Sequence, residues 1–251
     1  MILSTLSTAS LEDVRKAAPH AVLWYQLYLF PDRELSRRLV KRAERAGYSA
    51  LVLTVDSPTL GRKLSDVREH FRLPSHLNIT TASLGSRVVH NVCLCFTEKN
   101  FNTLLLCIFS LEPLGKTKTI GEWNRSIGKS WVILRQTIKF ISAEDAVLAV
   151  RSGVPAIIVS NHGGRQLDGV ASTIEILPKI MRAVYGHIDV YLDGGVRQGT
   201  DVVKALALGA KMVFVGRPTL WGLAYKGQQG VEEMLQIFRE EIDRAMALMG
   251  E

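Results

Sequence analysis

The carboxyl-terminal half of the sequence repeats one pattern three times: a short apolar run, a polar turn that contains glycine, and a helical segment. The apolar runs are residues 156–159, 188–192 and 211–215. A short apolar run that stops at a glycine-bearing turn is typical of a buried parallel strand. Folds built from such units bind their ligands at the carboxyl ends of the strands. The repeat therefore predicts an α/β fold with a ligand site at the strand ends.

The amino-terminal part of the sequence has the same rhythm, with predicted strands at 22–29 and 50–55 around a predicted helix at 32–46. Gly47 is expected to end that helix, and an apolar stripe runs along it. From residue 78 to about 130 the periodicity fails, and no element is predicted there. The other predicted elements are a helix between Ser10 and Pro19, a strand at 131–139, and helices at 142–152, 172–184 and 200–208. The chain is expected to close with an amphipathic helix. The residues on its apolar face are Val231, Met234, Leu235, Phe238, Ile242, Ala245 and Met246.

The turns that follow the last three predicted strands carry chemically useful residues. The first turn, 160–165, contains His162 and Arg165 beside two glycines, and histidine can take a proton near neutral pH. Arginine offers a planar fork to a carboxylate or a phosphate. The next two turns, 193–199 and 216–218, each combine glycine with arginine at the start of a helix. Two such turns in succession predict a phosphate site, which could serve a cofactor or a substrate.

Composition and charge narrow the class of ligand. Hydrophobic residues make up 47% of the chain and charged residues 22%, as in ordinary globular proteins. The net charge of +7 favours an anionic partner, and without a basic patch interleaved with aromatics we expect small anions rather than nucleic acid. The sequence shows neither a membrane-spanning apolar run nor a signal peptide. The three cysteines, Cys93, Cys95 and Cys107, fit free thiols in a reducing intracellular compartment better than disulfides or zinc ligands.

Several stretches resemble the FMN-dependent α-hydroxy-acid oxidase family, which includes glycolate oxidase. The resemblance is carried by S-N-H-G-G-R-Q-L-D-G at 160–169, by the D-G-G-V-R run at 193–210 and by V-G-R-P at 215–218. It extends to 24–33, 42–58 and 66–74, so that it covers roughly residues 1–90 and 140–248. Motifs of this length are specific.

The resemblance implies a (β/α)8 barrel that holds FMN at the mouth formed by its strand ends. The family's first strand and most of its second precede Met1, and its fifth strand is disturbed here, so the barrel is expected to be incomplete. We expect residues 1–251 to form a single domain of this type, with 91–130 as an irregular segment that matches nothing in the family.

The resemblance also implies roles for the substrate site. His162 matches the base that takes the α-proton, or the hydroxyl proton if hydride passes to the flavin. Arg165 and Lys63 match positions that bind the substrate carboxylate, although Lys63 stands where the family has an arginine. Tyr28 would hydrogen-bond the substrate, and Asp56 would orient His162.

A second set of residues matches the positions that bind FMN in the family. Some would contact the flavin ring, and others would hold the ribityl chain and the phosphate. The positions are Ser4, Gln26, Thr54, Ser160, Asp193, Gly194, Gly195, Val196, Arg197, Gly216 and Arg217.

The activity implied is oxidation of an (S)-2-hydroxy acid to a 2-oxo acid, with oxygen as acceptor and hydrogen peroxide as product. The missing strands leave one alternative open, which is an inactive fragment or splice product of such an enzyme. A phosphate-binding barrel of another class is disfavoured by the run at 160–169. The resemblance allows a homo-oligomer and implies a peroxisomal location, although Leu248 to Glu251 form no peroxisomal signal.

Overall fold

The computed structural model describes residues 1–28, 30, 32–55, 68, 73–79, 132–137 and 143–250, and for 132–137 it describes the backbone alone. The chain divides into two compact units. The amino-terminal unit comprises Met1–Arg135 and Arg151–Pro155, and the carboxyl-terminal unit comprises Gln136–Val150 and Ala156–Glu251. The irregular segment 91–130 lies outside the described residues. The prediction of a single domain stays a prediction.

The amino-terminal unit is a parallel sheet with helices in its connections. Its strands are β1 (Ile2–Leu3), β2 (Trp24–Tyr28), β3 (Ala50–Thr54) and β4 (Val132–Thr137), and each pairs in parallel with the next. Helix α1 (Leu11–Ala17) links β1 to β2, and α2 (Arg33–Arg45) links β2 to β3. The predicted strands and helices are thus confirmed here, including the strand expected at 131–139.

Side chains at the helix starts explain why these helices begin where they do. The Ser10 hydroxyl accepts a hydrogen bond from the Asp13 backbone N–H, at 3.0 Å, and so caps α1. The Asp32 carboxylate accepts from two backbone N–H groups of α2. Such caps satisfy N–H groups that have no partner within the helix.

The guanidinium of Arg15 ties the loops that precede β2 and β3 to each other. It lies over the ring of the buried Tyr48, 5.8 Å from the ring centre. Since an arginine has five N–H donors in a fixed fork, one side chain can hold several carbonyls at once. The carbonyls that accept from Arg15 are those of Ala18, Pro19, Ala21, Ala46 and Gly47.

The carboxyl-terminal unit repeats the parallel arrangement. Its strands are β5 (Ala156–Ser160), β6 (Asp189–Leu192) and β7 (Met212–Val213), paired in parallel in that order. Helix α3 (Ala143–Arg151) precedes β5, α4 (Thr173–Val184) follows it, α5 (Gly199–Ala207) follows β6, and α6 (Arg217–Met249) follows β7. All five residues of β5 are buried, as its apolar run predicts. The three strands end at one edge, because they run in parallel.

Helix α6 contains the predicted carboxyl-terminal amphipathic helix, whose named residues, 231–246, all follow a break in the backbone. The backbone leaves helical geometry at Lys226 and Gly227, so two helical segments meet there. The segments touch backbone to backbone, since a Cβ built at Gly222 would lie 2.5 Å from the Gly230 carbonyl oxygen. Leu235, expected on the packed face, is instead 54% exposed. Among the described residues, no helix has the combined length and hydropathy needed to cross a membrane.

Tyr25 introduces a polar group into the core of the amino-terminal unit. Its side chain is fully buried, and its hydroxyl makes no hydrogen bond within the described residues. Burial raises the pKa of this phenol from 10.0 to about 12, although the nearby Thr5 hydroxyl acts in the opposite direction. The folded state therefore favours the protonated phenol more strongly than the unfolded state does.

The raised pKa of Tyr25 predicts a loss of stability in alkali. The contribution is fully present below pH 10 and is lost as the pH rises towards 12, by about 2–3 kcal/mol for a shift of this size. We expect Tyr25→Phe to remove this part of the alkaline fall in unfolding free energy, and to change stability at pH 7 by no more than about 1.5 kcal/mol, the net worth of a hydrogen bond such as one with the nearby Thr5 hydroxyl. Urea unfolding as a function of pH measures both effects. Tyr225→Phe, at an exposed position, is the control, and an equal effect in the two variants would contradict the prediction.

Candidate active site

The structure distributes the predicted site residues over the two units. Ser4, Gln26, Tyr28 and Thr54 belong to the amino-terminal unit, at or near the carboxyl ends of β1, β2 and β3. Asp56 and Lys63 lie outside the described residues. The residues from the carboxyl-terminal unit all lie at the end of β5, β6 or β7 or in the loops that follow, and they are Ser160, His162, Arg165, Asp193, Gly194, Gly195, Val196, Arg197, Gly216 and Arg217.

Hydrogen bonds fix the orientation of the Gln26 amide. Its Oε1 accepts from the Thr5 backbone N–H at 3.1 Å and lies 3.5 Å from the Ser4 hydroxyl. A backbone N–H can only donate, so the oxygen must face Thr5 and the Nε2 group must face Thr54, to whose hydroxyl it donates at 3.0 Å. Because the Thr54 oxygen accepts this bond, its own O–H can donate. Gln26 and Thr54 are both buried, and together they form a donor array suited to a ligand with acceptor atoms.

Tyr28 lies at the end of the same array. It is the register partner of Thr54 across the β2–β3 pair, and register partners in a sheet point to the same face. Its side chain is half-buried, in contrast to the buried Gln26 two residues earlier on that face. The phenol is thus placed beside the donor array.

The turn after β5 has an unusual backbone. His162, Gly163 and Gly164 have φ values of 53°, 67° and 70°, so three successive residues are left-handed. Glycine adopts this conformation without a steric cost, whereas a residue with a Cβ pays roughly 1–2 kcal/mol. Two local hydrogen bonds hold the turn: His162 N–H donates to the Ser160 hydroxyl at 3.0 Å, and Gly164 N–H donates to the Asn161 carbonyl at 2.9 Å. We refer to residues 161–164 as the histidine turn.

Arg165 follows the histidine turn and extends along it. A Cβ built at Gly163 would lie 3.9 Å from the Arg165 Cδ, so the stem of the arginine passes over that glycine. Arg165 is exposed, whereas His162 is partly buried. An imidazole and a guanidinium are therefore neighbours at this turn.

Close packing joins the histidine turn to the loop that follows β6. A Cβ built at Gly194 would lie 2.3 Å from Asn161 Oδ1 and 3.3 Å from Thr173 Cγ2. Gly194 also has a φ of 88°, and its carbonyl accepts from the Thr173 hydroxyl at 3.0 Å. Only glycine satisfies both the contact and the conformation, which explains the first glycine of this loop.

A contact from the first residue of helix α6, just after β7, reaches the same turn. The Arg217 Nη2 group donates to the Gly163 carbonyl oxygen. A Cβ built at Gly163 would lie 3.1 Å from that nitrogen, so a side chain there would crowd the arginine. Two residues predicted to serve different purposes, phosphate binding and proton transfer, are thus linked through one carbonyl group.

Carboxylates from the chain already occupy the start of helix α5. Asp201 accepts from the backbone N–H groups of Arg197 and Gln198, at 3.0 and 3.1 Å. Glu241, on α6, accepts from the Gly199 N–H at 2.6 Å. Those three N–H groups therefore already have acceptors within the chain, and the phosphate site predicted at these loops stays a prediction. The backbone at Gly195 and Gly216 has open space around it instead, and both arginines of these loops, Arg197 and Arg217, are exposed.

Several residues that shape the site carry no signal in the sequence. Asn161 lies within the S-N-H-G-G-R motif, but the motif does not reveal its packing against Gly194. Thr5 supplies the backbone N–H that orients Gln26, whereas the family resemblance points only to its neighbour Ser4. Glu241 is 42 residues away from the N–H group that it caps, so no local pattern could indicate it. Within the described part of the chain, no group of three or more His, Cys, Asp or Glu residues could hold a metal ion.

Comparison with known proteins agrees with the resemblance seen in the motifs. The family profile of FMN-dependent dehydrogenases matches residues 1–251. The chain is 45% identical to 2-hydroxyacid oxidase 1 of Mus musculus over 254 residues, covering 100% of this chain and 66% of the relative. It is 44% identical to an L-lactate oxidase of Nostoc sp. over 256 residues, with 100% and 67% covered. The crystal structure of mandelate oxidase matches with a TM-score of 0.79 at 39% identity, over 98% of this chain and 65% of that one.

The chain belongs to the FMN-dependent dehydrogenase family, whose members are oxidoreductases that use FMN. It spans about two thirds of the length of the curated relatives it matches. The parallel α/β architecture of its described residues agrees with this membership. The predicted family and cofactor are thereby confirmed.

The packing of Gly194 yields a prediction with a matched control. Gly194→Ala should cost roughly 1–2 kcal/mol for its left-handed backbone, and about 1–3 kcal/mol more for overpacking against Asn161. Gly186 has a similar φ of 76° but nothing within 4 Å of an added Cβ, so Gly186→Ala should show the first cost alone. Chemical denaturation of both variants measures the difference. Equal losses of stability would mean that the Asn161 contact does not constrain this loop.

Proposed function

We propose that this chain binds FMN and oxidises an (S)-2-hydroxy acid to a 2-oxo acid, with oxygen as electron acceptor and hydrogen peroxide as product. We further propose that residues 1–251 belong to one domain of the (β/α)8 barrel type. The observation that carries the proposal is the joining of the histidine turn to two glycine–arginine loops within the carboxyl-terminal unit. Relatives named as 2-hydroxyacid oxidases and L-lactate oxidase support the class of reaction.

The residues present suit the phosphate and ribityl parts of FMN. Arg197 and Arg217 supply positive charge, and the open backbone at Gly195 and Gly216 allows a close approach by an anion. Asp193, Gly194, Val196 and Ser160 complete the family positions in this unit; the buried Val196 holds the loop to the core.

The donor array of the amino-terminal unit suits a different part of the cofactor. The pyrimidine end of a flavin presents carbonyl oxygens, which accept hydrogen bonds of the kind that Gln26 and Thr54 can donate. Ser4 helps to fix the Gln26 amide in the donating orientation. When it is bound, FMN supplies an acceptor for the two electrons removed from the substrate.

The remaining chemistry belongs to side chains of the protein. Arg165 binds the carboxylate of the hydroxy acid, assisted by Lys63 and by the phenol of Tyr28. His162 takes either the α-proton or the hydroxyl proton, and Asp56 stabilises the charged imidazole that results. Conversion of a 2-hydroxy acid to a 2-oxo acid removes two protons and two electrons in total. His162 would take one of the protons, and bound FMN would take up the two electrons together with the second proton.

The inactive fragment is the alternative outcome, and a visible spectrum separates the two. The full chain is expressed, freed of unbound ligand and examined for flavin absorbance. Retained flavin that is bleached by glycolate or L-lactate without air, and that returns with hydrogen peroxide when air is admitted, supports the proposal. A colourless protein supports the alternative. A homo-oligomer and a peroxisomal location accompany the proposal as expectations from the family.

His162 provides the variant test of the proposed reaction. We expect His162→Ala to retain flavin but to lose its reduction by at least about 100-fold, the lower limit typical for removal of a general base. His187→Ala, at an exposed histidine outside the site, is the matched control and should be reduced at the rate of the unmodified protein. Anaerobic stopped-flow absorbance measures the rates. Reduction of the His162 variant at an unchanged rate would remove this residue from the mechanism.

A further inference from the structure

We propose that Arg217 is a positioning residue for His162. It acts through the Gly163 carbonyl, so that an anion bound at Arg217 alters the environment of the imidazole. This inference rests on the proposed function, which places the cofactor phosphate beside Arg217 and assigns the proton transfer to His162. It adds a connection between Arg217 and His162, because binding of an anion at Arg217 changes the position of the His162 ring.

The conformation of the histidine turn requires external support. Within its left-handed stretch, His162 alone carries a Cβ, and it therefore bears the steric cost of that conformation. Backbone in such a region persists when the surrounding structure determines it, and it relaxes when that support is withdrawn. The position of the His162 ring thus depends on the contacts that hold the turn.

Arg217 supplies a contact of a different kind from the local ones. The bonds to Ser160 and Asn161 lie within the strand end and the turn, whereas Arg217 is 54 residues from Gly163 along the chain. A hydrogen bond from a charged donor is stronger than one between neutral groups, and this one acts against the steric cost of the left-handed histidine. The arginine can therefore decide whether the turn keeps its geometry.

The geometry also provides a route for transmission. A guanidinium has five N–H donors, so Arg217 can face an anion with some of them while Nη2 keeps its bond to Gly163. On the other side of the turn, the Asn161 side chain is packed against the Gly194 backbone, which restricts its movement. When a bound anion displaces the guanidinium, the Gly163 carbonyl moves with it. Because Asn161 is held in place, the peptide groups on either side of His162 take up this movement.

The test uses the full chain freed of flavin, with inorganic phosphate as the probe. Histidine ring signals are recorded by NMR with and without phosphate, and the His162 signal is assigned by its disappearance in His162→Gln. We expect phosphate to move the His162 signal and to leave the His187 signal in place. In Arg217→Gln the His162 signal should be displaced before phosphate is added, and its response to phosphate should be lost.

Two further variants separate positioning from loss of charge. Arg197→Gln removes a positive charge from the proposed phosphate site without touching the histidine turn. It should need about tenfold more phosphate, equivalent to about 1.4 kcal/mol, to give the same final signal. Arg217→Lys keeps the charge and loses the fork, so it should bind phosphate but give a smaller displacement of the His162 signal. This variant also serves if Arg217→Gln does not fold.

The results that would contradict the inference can be told apart from those that would contradict the proposed function. A His162 signal in Arg217→Gln that matches the unmodified protein, or a full response to phosphate in Arg217→Lys, overturns the inference. A lack of any response in the unmodified protein overturns the coupling to an anion. If the protein proves colourless while Arg217→Gln still displaces the His162 signal, the proposed function fails and the positioning role stands. If flavin is retained and reducible while Arg217→Gln leaves the His162 signal in place, the proposed function stands and the positioning role fails.

Discussion

Close approach of backbone segments at the strand ends is the constraint on which the carboxyl-terminal unit depends. Gly194 meets the Asn161 side chain at a distance that leaves no room for a Cβ, and Gly163 lies against the Arg217 guanidinium. These contacts bring three loops, one from each of three parallel strands, to a common position. His162 and Arg217, the residues proposed to transfer a proton and to bind an anion, then lie on loops that contact each other. Glycine is used here because the chain must pack against itself, in addition to any ligand it accommodates.

Much of the secondary structure could be predicted because its causes are local. The apolar runs that became β2, β3, β5 and β6 and the caps at Ser10 and Asp32 act over a few neighbouring residues. The position of His162 at the end of a buried strand was predictable for the same reason. The family of the chain, in contrast, was predicted from the identity of its sequence motifs and not from local structural preferences.

The features that could not be predicted depend on contacts between distant parts of the chain. The Arg217 bond to Gly163 and the Glu241 bond to Gly199 each join residues more than 40 positions apart. The left-handed backbone at His162 is not a preference of histidine, and it is imposed by its surroundings. The break at Lys226 and Gly227 accompanies a backbone contact between Gly222 and Gly230, which lies outside the periodicity of residues 231–246. That periodicity placed Leu235 on the packed face, whereas it is exposed.

The carboxylate of Glu241 has an implication for the order of assembly during translation. The loop that bears Arg197 emerges from the ribosome well before the helix that closes it, because Glu241 lies 42 residues beyond Gly199. Until that helix docks, the Gly199 N–H at the start of α5 is without its acceptor and remains able to attract other anions, including nucleotides and metabolites in the surrounding fluid. Docking of helix α6 would displace such anions, because Glu241 then accepts from this N–H group. The loop between β6 and α5 would thus gain its last hydrogen-bond acceptor only late in the synthesis of the chain.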